Sequence, residues 1–426
     1  MKPTSSLYSK DLQVALLSNS KERVIFLITV LSIFLLTLSL EYQNYKEFSH
    51  FSSNLGVFRV LNHYEKEDYS VLKLETKNGY SFYTTSKDRF INLKGYRVKA
   101  EIFIKDEFYF LDYLKGSFHK SEVLALESEL EYRFTLQNLI MEQHSSKMLG
   151  ELYSAILFAI PIGNELREHL SRLGVSHLAV LSGFHISFIT AILFFLLRVI
   201  YSPIHRRFFP YRNSYQDIVV VTGTFIFSYL IFIDSPPSFL RAVAMFLIGA
   251  ILFDRNLLKA NFETLLYASI LLIALFPKLI FAVGFWFSVA GVFYIFLFLK
   301  LFKSLNAVWQ IIFINFWVFL AMLPITHSIF SEFYFSQLLS PLWTILFIAI
   351  YPAMIIVTLS PYPELIDPIF ESFFSIESGE LYSFDVSTLW LTIYIAFSLS
   401  LLKVDEVKNF LKYLNRLYRE LRPHRQ

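Results

Sequence analysis

The sequence is a succession of long apolar segments, and these restrict the fold more than any other feature. A helix needs about 20 apolar residues to cross a bilayer. With 55% hydrophobic and only 17% charged residues in 426, the composition excludes a single soluble domain and predicts a polytopic α-helical membrane protein. The predicted spans are Val24–Leu40, Val175–Tyr201, Asp217–Ile233, Ser238–Phe253, Phe262–Phe276, Leu279–Leu299, Val308–Leu323, Leu338–Leu359 and Val386–Leu402.

Charge and cysteine content narrow the function classes. The net charge of +3 is too small to identify the whole chain as a nucleic-acid binder, so any basic surface must be local. The absence of cysteine excludes disulfides, thiolate metal sites and cysteine nucleophiles. The ten histidines are scattered without metal-ligand spacing, so we predict no metal site and no cofactor.

The two ends of the chain give its expected orientation. Residues 1–23 form a short, basic, cytoplasmic tail, and no small-residue cleavage site follows the span at residues 24–40, so we expect that span to be retained. Basic flanks favour the cytoplasmic side. Residues 403–426 form a basic, amphipathic tail, which we also place in the cytoplasm.

Residues 41–121 alternate between apolar and polar positions, as strands do. Asn78-Gly79 between two such runs is a hairpin signal. The residues predict a small extracytoplasmic β domain, either a closed barrel of the OB type or a plain antiparallel sheet. Its basic and aromatic residues fit either a track for single-stranded nucleic acid or an ordinary solvated strand face. The predicted strands are Val57–Leu61, Tyr69–Thr76, Tyr80–Thr85, Tyr96–Lys105 and Phe108–Leu114.

Residues 122–162 read as helices outside the bilayer core. Glu122–Met148 has the pattern of a polar amphipathic helix, and Leu149–Ile162 is apolar but short, which suggests an interfacial or re-entrant segment.

The polytopic domain then covers residues 163–402. One part of its topology stays open: Pro361–Asp385 holds six acids and no Lys or Arg. Either Leu338–Leu359, broken at Pro352, is re-entrant, or the acidic segment lies inside.

The span at residues 175–201 carries polar residues that a simple anchor does not need. At 1.5 Å per residue from Val175, His185 would lie about 15 Å along the helix, near the bilayer midplane. Buried ionisable groups in a span face a cavity or a partner helix. His185 is therefore either part of a polar path or bonded to a neighbouring carbonyl, with Ser182-Gly183 as a packing notch.

The residues around this span resemble a known family. Leu173–His185 (LGVSHLAVLSGFH) is similar to the signature of the ComEC competence channel family, in which Gly-x-Ser-His-Leu precedes Ser-Gly-x-His. The charged Asn164–Arg172, Pro237–Ala242 (PSFLRA), Val283–Ser288 (VGFWFS) and Phe335–Pro341 (FSQLLSP) resemble further family elements in the same order. Trp286 stands where the family usually has glutamine.

The resemblance implies a function and partners. Members of the family pass single-stranded DNA across the bacterial inner membrane during natural transformation, and an extracytoplasmic OB-like domain follows their first span. The expected partners are single-stranded DNA, the lipid bilayer, a periplasmic DNA-binding competence protein, and a cytoplasmic helicase or DNA-processing protein. The oligomeric state stays open between a monomer and a homo-oligomer. The metallo-β-lactamase-like domain of longer members has no counterpart in this sequence, so we expect a short form with no catalytic residues.

Polarity and the resemblance together select residues for the DNA path. Helix N-termini supply positive dipole ends to a polyanion, and we expect Ser238 to cap such a helix with Arg241 in its first turn. We expect Asp234 to pair with Arg241, and His327 either to line the path or to cap its own helix. The main candidates are His177, Ser182, Gly183, His185, Ser238 and Arg241; the weaker ones are Asp234, Ser288, Pro324 and His327.

Two other functions compete with a DNA channel. An ion-coupled small-solute permease would use the buried histidines for protons, although the sequence shows no inverted repeat. An intramembrane hydrolase would pair Ser182 with His185, which lie three residues apart on one helix face. A channel would need a separate motor, because the phosphate-binding loop of an ATPase is not present in the sequence.

Overall fold

The computed structural model of this chain describes residues 19–66, 68–86, 93–105, 107–127, 132–181, 183–254, 262–376 and 379–403. The chain divides into two compact units. The first runs to His169 and adds Ser176–Val289 and Pro352–Phe374; the second comprises Leu170–Val175, Ala290–Tyr351 and residues from Ser375 onward.

The first unit begins with a long apolar helix, α1 (Ser20–Ser49), that leads directly into a β domain. Asn19 and Glu22 form a capping box at its start, which satisfies two of the first backbone N–H groups. At its other end Tyr45 and Phe48 pack against the core of the β domain. The apolar segment predicted at residues 24–40 is therefore part of a longer helix, which continues to Ser49, just before the sheet begins.

Five strands form one sheet in the order β3-β2-β1-β4-β5, with every pair antiparallel. The long β1 occupies the centre because it pairs on both sides. Tyr83 of β3 also bonds to the chain that enters β5: its N–H donates to the Ser117 carbonyl, and its carbonyl accepts from His119 N–H, both at 2.9 Å. The strands are β1 (Ser53–Glu65), β2 (Ser70–Glu75), β3 (Ser81–Ser86), β4 (Arg97–Phe103) and β5 (Lys120–Glu127).

Two sequence-based predictions about this region are wrong. The predicted strand at residues 108–114 contains instead the helix α2 (Phe110–Lys115), whose residues Phe110, Tyr113 and Leu114 pack on the sheet core. The fifth strand lies at Lys120–Glu127, where an amphipathic helix was predicted. Both segments contain alternating or spaced apolar residues, which a short window does not separate into helix and strand.

The core of the β domain is aromatic, and the buried His119 packs among its rings. Nε2 of His119 lies 2.9 Å from both Tyr80 Oη and Ser117 Oγ. Burial lowers the pKa of His119 to about 4, so the ring is neutral at physiological pH. The centroids of the Tyr80 and Tyr113 rings lie 4.3 Å apart, which adds a stacked pair to the core.

The rest of the first unit is helical. Its helices are α3 (Tyr132–Gln143), α4 (Lys147–Phe158), α5 (Asn164–Arg172), α6 (Ser176–Ala179), α7 (Gly183–Phe208), α8 (Ser214–Phe232), α9 (Pro237–Asp254), α10 (Phe262–Leu275) and α14 (Asp367–Phe374). The division between the units falls inside α5, after His169, and inside α11 (Val283–Leu301), after Val289. The predicted span at residues 175–201 is not one helix, because the chain leaves helical geometry after α6 and starts again at Gly183. His185 therefore lies in the first turn of α7, not in the middle of a continuous span.

The second unit contains α12 (Ala307–His327), α15 (Thr388–Ser400) and α13 (Ser340–Thr358) as far as Tyr351. A two-stranded ribbon pairs β6 (Glu332–Tyr334) with β7 (Leu381–Ser383) in antiparallel register. This ribbon places the chain that enters α13 beside the chain that enters α15. The predicted break at Pro352 is wrong, since α13 continues through this proline to Thr358.

The lengths and compositions of the helices fit membrane spans. Within the described ranges, six helices are long and apolar enough to cross a membrane: Ser20–Ser49, Gly183–Phe208, Ser214–Phe232, Val283–Leu301, Ala307–His327 and Phe335–Thr358. The described part of the fold is thus mostly helical with a small five-stranded sheet and a two-stranded ribbon, and the apolar segments and the alternating stretch predict the helices and the larger sheet.

Candidate functional site

A buried arginine lies at the centre of the candidate site. The side chain of Arg241, in the second turn of α9, is 3% exposed. Its Nε donates to Ser288 Oγ at 2.8 Å, and Nη1 lies 3.1 Å from Met245 Sδ. Among the residues that the structure describes, no Asp or Glu carboxylate lies within ion-pair distance of this guanidinium. The site therefore holds a cation whose described partners are a hydroxyl and a thioether.

The start of α7 lies next to the same arginine. A β-carbon built on Gly183 would lie 3.5 Å from Ala242 Cβ and 3.8 Å from Arg241 Nη2. These are ordinary van der Waals distances, so the space beside Gly183 accepts a methyl group and is bounded by Ala242 and Arg241. A helix N-terminus carries a partial positive charge, so α7 and Arg241 together produce a locally positive site.

The two histidines predicted for the path have different surroundings. His185 is 1% exposed in the first turn of α7, whereas His177 is exposed on the short α6. Ser182 lies outside the described residues, so the geometry between Ser182 and His185 on which a hydrolase would depend is not described. The structure brings Gly183, Arg241 and Ser288 together, with His185 two residues beyond Gly183.

Two expectations about the entry to α9 are wrong. Ser238 is not the N-cap, because the helix begins one residue earlier, at Pro237. Proline suits the first helical position, where its missing N–H has no intrahelical partner. Asp234 does not pair with Arg241; its carboxylate bonds instead to Arg59 and Arg133.

These last three residues form what we call the Asp234 clasp. Arg59 of β1 donates to Asp234 through Nη1 at 3.1 Å and Nη2 at 2.5 Å, and Arg133 of α3 donates through Nη2 at 3.2 Å. Arg133 also donates to the Ile233 carbonyl at 2.9 Å. Asp234 and Ser235 have φ of 71° and 53°, a left-handed conformation that costs about 1–3 kcal/mol in residues other than glycine and is retained where surrounding contacts hold it.

A further charged residue contacts the clasp. Arg59 Nη1 lies 3.1 Å from Glu75 Oε2 of β2. Burial raises the pKa of Glu75, an effect that Arg59 opposes. Sequence analysis missed both Arg59 and Arg133, since each lies in a mixed-charge stretch with no motif, and only the fold brings residues 59, 133 and 234 together.

The remaining candidates belong to the second unit. Pro324 lies inside α12, and His327 is its last residue. His327 is 8% exposed, and its Nδ1 lies 2.9 Å from the Phe330 carbonyl three residues later. This contact corresponds to the local role that sequence analysis offered as one of two alternatives for His327.

Comparison with known proteins assigns the family. No curated protein and no solved structure matches the chain. A model of the family described as "Competence protein" matches residues 161–403, more than half of the 426 residues. The matched range contains Gly183, His185, Arg241 and Ser288. With several helices of membrane-spanning length, the chain is a multi-pass membrane protein with a role in DNA uptake for transformation, and it belongs to the ComEC competence family.

Proposed function

We propose that this protein is a channel that passes single-stranded DNA across the bacterial inner membrane during natural transformation. The observation that carries the proposal is Arg241, a buried cation without a carboxylate partner among the described residues. Burying an unpaired charge is costly, so such an arginine indicates an anionic ligand. One cation beside a helix N-terminus attracts a phosphate yet releases it, as conduction requires.

The contacts of the first unit support one orientation for several segments. Arg133 of α3 bonds to the turn between α8 and α9, and His144 of the α3–α4 linker bonds to Asp367 of α14 with Nδ1 3.0 Å from each carboxylate oxygen. With the N-terminus in the cytoplasm, the β domain, the α8–α9 turn and α14 all face outward in our proposal. The acidic stretch at residues 361–385 then lies outside together with β6, which pairs with β7 of that stretch. In this proposal α13 therefore does not cross the membrane, and the C-terminal tail lies inside.

We also propose that the β domain is OB-like. The central β1 pairs with both β2 and β4, and the bonds from Tyr83 to Ser117 and His119 join the two outer members of the sheet. A closed five-stranded barrel is the architecture of OB domains.

In the proposed pathway a periplasmic DNA-binding protein delivers the DNA strand, and a cytoplasmic helicase or DNA-processing protein pulls it. The channel itself is not an enzyme. It functions as a monomer or a homo-oligomer.

A compartment assay tests the channel function. In a deletion strain, labelled DNA should still reach the periplasm but not the cytoplasm, and the wild-type gene should restore entry. The single variant Arg241→Gln should reproduce the block, because glutamine keeps hydrogen bonding and loses the charge. Arg198→Gln, at an exposed position ten residues before the end of α7, is the matched control and should transport normally. Cytoplasmic entry in the deletion strain would contradict the proposal.

A proton-coupled permease is a second candidate because His185 is buried in a helix of spanning length. The variant His185→Gln separates the two functions. A DNA channel should keep most of its transformation, since a neutral polar lining suffices for a polyanion. A permease should lose activity, because glutamine does not titrate near neutral pH. Loss of transformation at matched protein levels would favour the permease.

A further inference from the structure

The outward face of strands β1 to β3 combines tyrosine rings with cations. In β2 and β3 the inward residues Leu72, Leu74 and Phe82 are fully buried, and Lys73 and Tyr83 point outward between them. Lys73 and Tyr83 are direct cross-strand partners, with Lys73 Nζ 5.7 Å from the Tyr83 ring centroid. Tyr83 is 36% exposed, so part of its ring is open to a ligand.

A second tyrosine–cation pair lies on the same face. Arg167 of α5 has its Cζ atom 5.5 Å from the ring centroid of Tyr64 on β1. Tyr64 is the register partner of Val71, two residues before Lys73 on β2. At about 3.3 Å per strand residue, the two pairs are separated by roughly 7 Å along β2. Helix α5 lies within the range matched by the competence family, so the face joins the β domain to the transport domain within the first unit.

The charge around this face favours an anion. Within the described part of the chain, neither Lys73 nor Arg167 has a carboxylate at ion-pair distance. Burial lowers the pKa of Lys94; Arg167 and Lys147 add to that lowering, and Glu151 and Glu65 oppose it. Arg59, further along the face, is already neutralised by Glu75 and Asp234. The cations that remain for a ligand are therefore concentrated beside the two tyrosines.

We propose that this tyrosine–cation face, defined by Tyr64, Lys73, Tyr83 and Arg167, binds single-stranded DNA before it enters the membrane domain. Exposed aromatic rings stack on unpaired bases of any sequence, and cations beside them contact the backbone phosphates. A duplex hides the base faces within its own stack, so the face selects single strands. This inference rests on the proposed function, which supplies the single-stranded DNA that the face would bind.

The test is oligonucleotide binding to the full-length protein in lipid nanodiscs. The probe is fluorescent oligothymidine, with a duplex of the same length for comparison. Tyr83→Leu keeps an apolar strand residue and removes the ring face, and we expect it to weaken single-strand binding about fivefold to hundredfold with an unchanged salt dependence. Lys73→Gln should reduce the slope of log affinity against log salt by about 0.7.

Two control variants address nonspecific effects. Tyr109→Leu removes a tyrosine that is 64% exposed outside the sheet, and Lys99→Gln removes an exposed cation on β4; both should bind as the wild type does. Wild-type affinity in Tyr83→Leu, or equal loss in the two controls, would overturn the inference. This assay measures binding without transport, so its failure would contradict only the proposed binding face. The channel function would be contradicted by a different result, the entry of DNA into the cytoplasm of the deletion strain.

Discussion

Single residues at the candidate site are constrained by size as much as by charge. Gly183 begins α7, and the position of its missing β-carbon lies in ordinary van der Waals distance of Ala242 and Arg241. One methyl group fits that space, whereas a longer side chain would meet the guanidinium. The positive site at the α7 N-terminus therefore depends on a small residue at position 183.

This contact predicts a size series at Gly183. Gly183→Ala should transform near the wild-type level, because its β-carbon meets Ala242 at 3.5 Å. Gly183→Leu should abolish transformation, because its side chain displaces Arg241 or occludes the path, at about 1–3 kcal/mol of packing strain. Transformation frequency is the measurement, with membrane insertion matched by immunoblot. Full transformation by the leucine variant would show that this contact is not part of the path.

At the scale of secondary-structure elements, the Asp234 clasp fixes the turn between α8 and α9. Arg59 from the sheet and Arg133 from α3 converge on one carboxylate, and the turn that they hold contains two left-handed residues directly before α9. Because Arg241 lies on α9, the clasp positions the start of the helix that carries the buried cation.

Removing the clasp carboxylate should destabilise the protein and weaken transport together. Asp234→Asn keeps a residue that tolerates left-handed backbone and leaves the 7%-exposed Arg133 without its anion, at a cost of about 1–3 kcal/mol. Thermal unfolding of Asp234→Asn, Arg133→Gln and the double variant gives the coupling energy. The exposed Arg212–Asp217 pair is the control, and Arg212→Gln should leave the unfolding midpoint nearly unchanged, because surface ion pairs contribute little. Additive effects at Asp234 and Arg133 would contradict the clasp.

The elements also show what sequence reasoning can reach. Long apolar runs predicted most helices because their pattern is local, and the Asn-Gly turn predicted the β2–β3 hairpin for the same reason. Within residues 108–127 the helix was predicted as a strand and the strand as part of a helix, because short apolar segments fit both patterns. Gly183, His185 and Arg241 were selected by polarity and resemblance. The contact between Gly183 and Arg241, and the three-residue clasp, depend on tertiary packing that no local pattern encodes.

For the whole molecule, the contacts of the first unit predict on which side of the membrane each segment lies. The β domain, the α8–α9 turn and α14 are connected through Arg133 and through the His144–Asp367 pair. Segments connected in this way share one side of the bilayer. The loop between α7 and α8, one span away from the α8–α9 turn, should lie on the other side.

The absence of cysteine makes this topology directly measurable with single-cysteine variants. Tyr109→Cys in the β domain and Glu364→Cys before α14 should react with an impermeant maleimide on spheroplasts. Tyr211→Cys, in the α7–α8 loop, should react only after permeabilisation. Transformation by each variant is the control for correct folding. Labelling of Glu364→Cys with the pattern of Tyr211→Cys would place the acidic segment inside and refute the proposed orientation.

The packing of α1 has a consequence for the order in which the protein assembles. Thr37 of α1 donates to the carbonyl of Ala274 in α10 at 2.6 Å, across 237 residues of chain. At about 5–20 residues per second of synthesis, α1 waits roughly 10–50 s for that neighbour. The β domain, complete at Glu127, emerges well before α10 does. The first helix is thus expected to insert before its neighbour exists, and it tethers a domain that folds while the ribosome is still making α10.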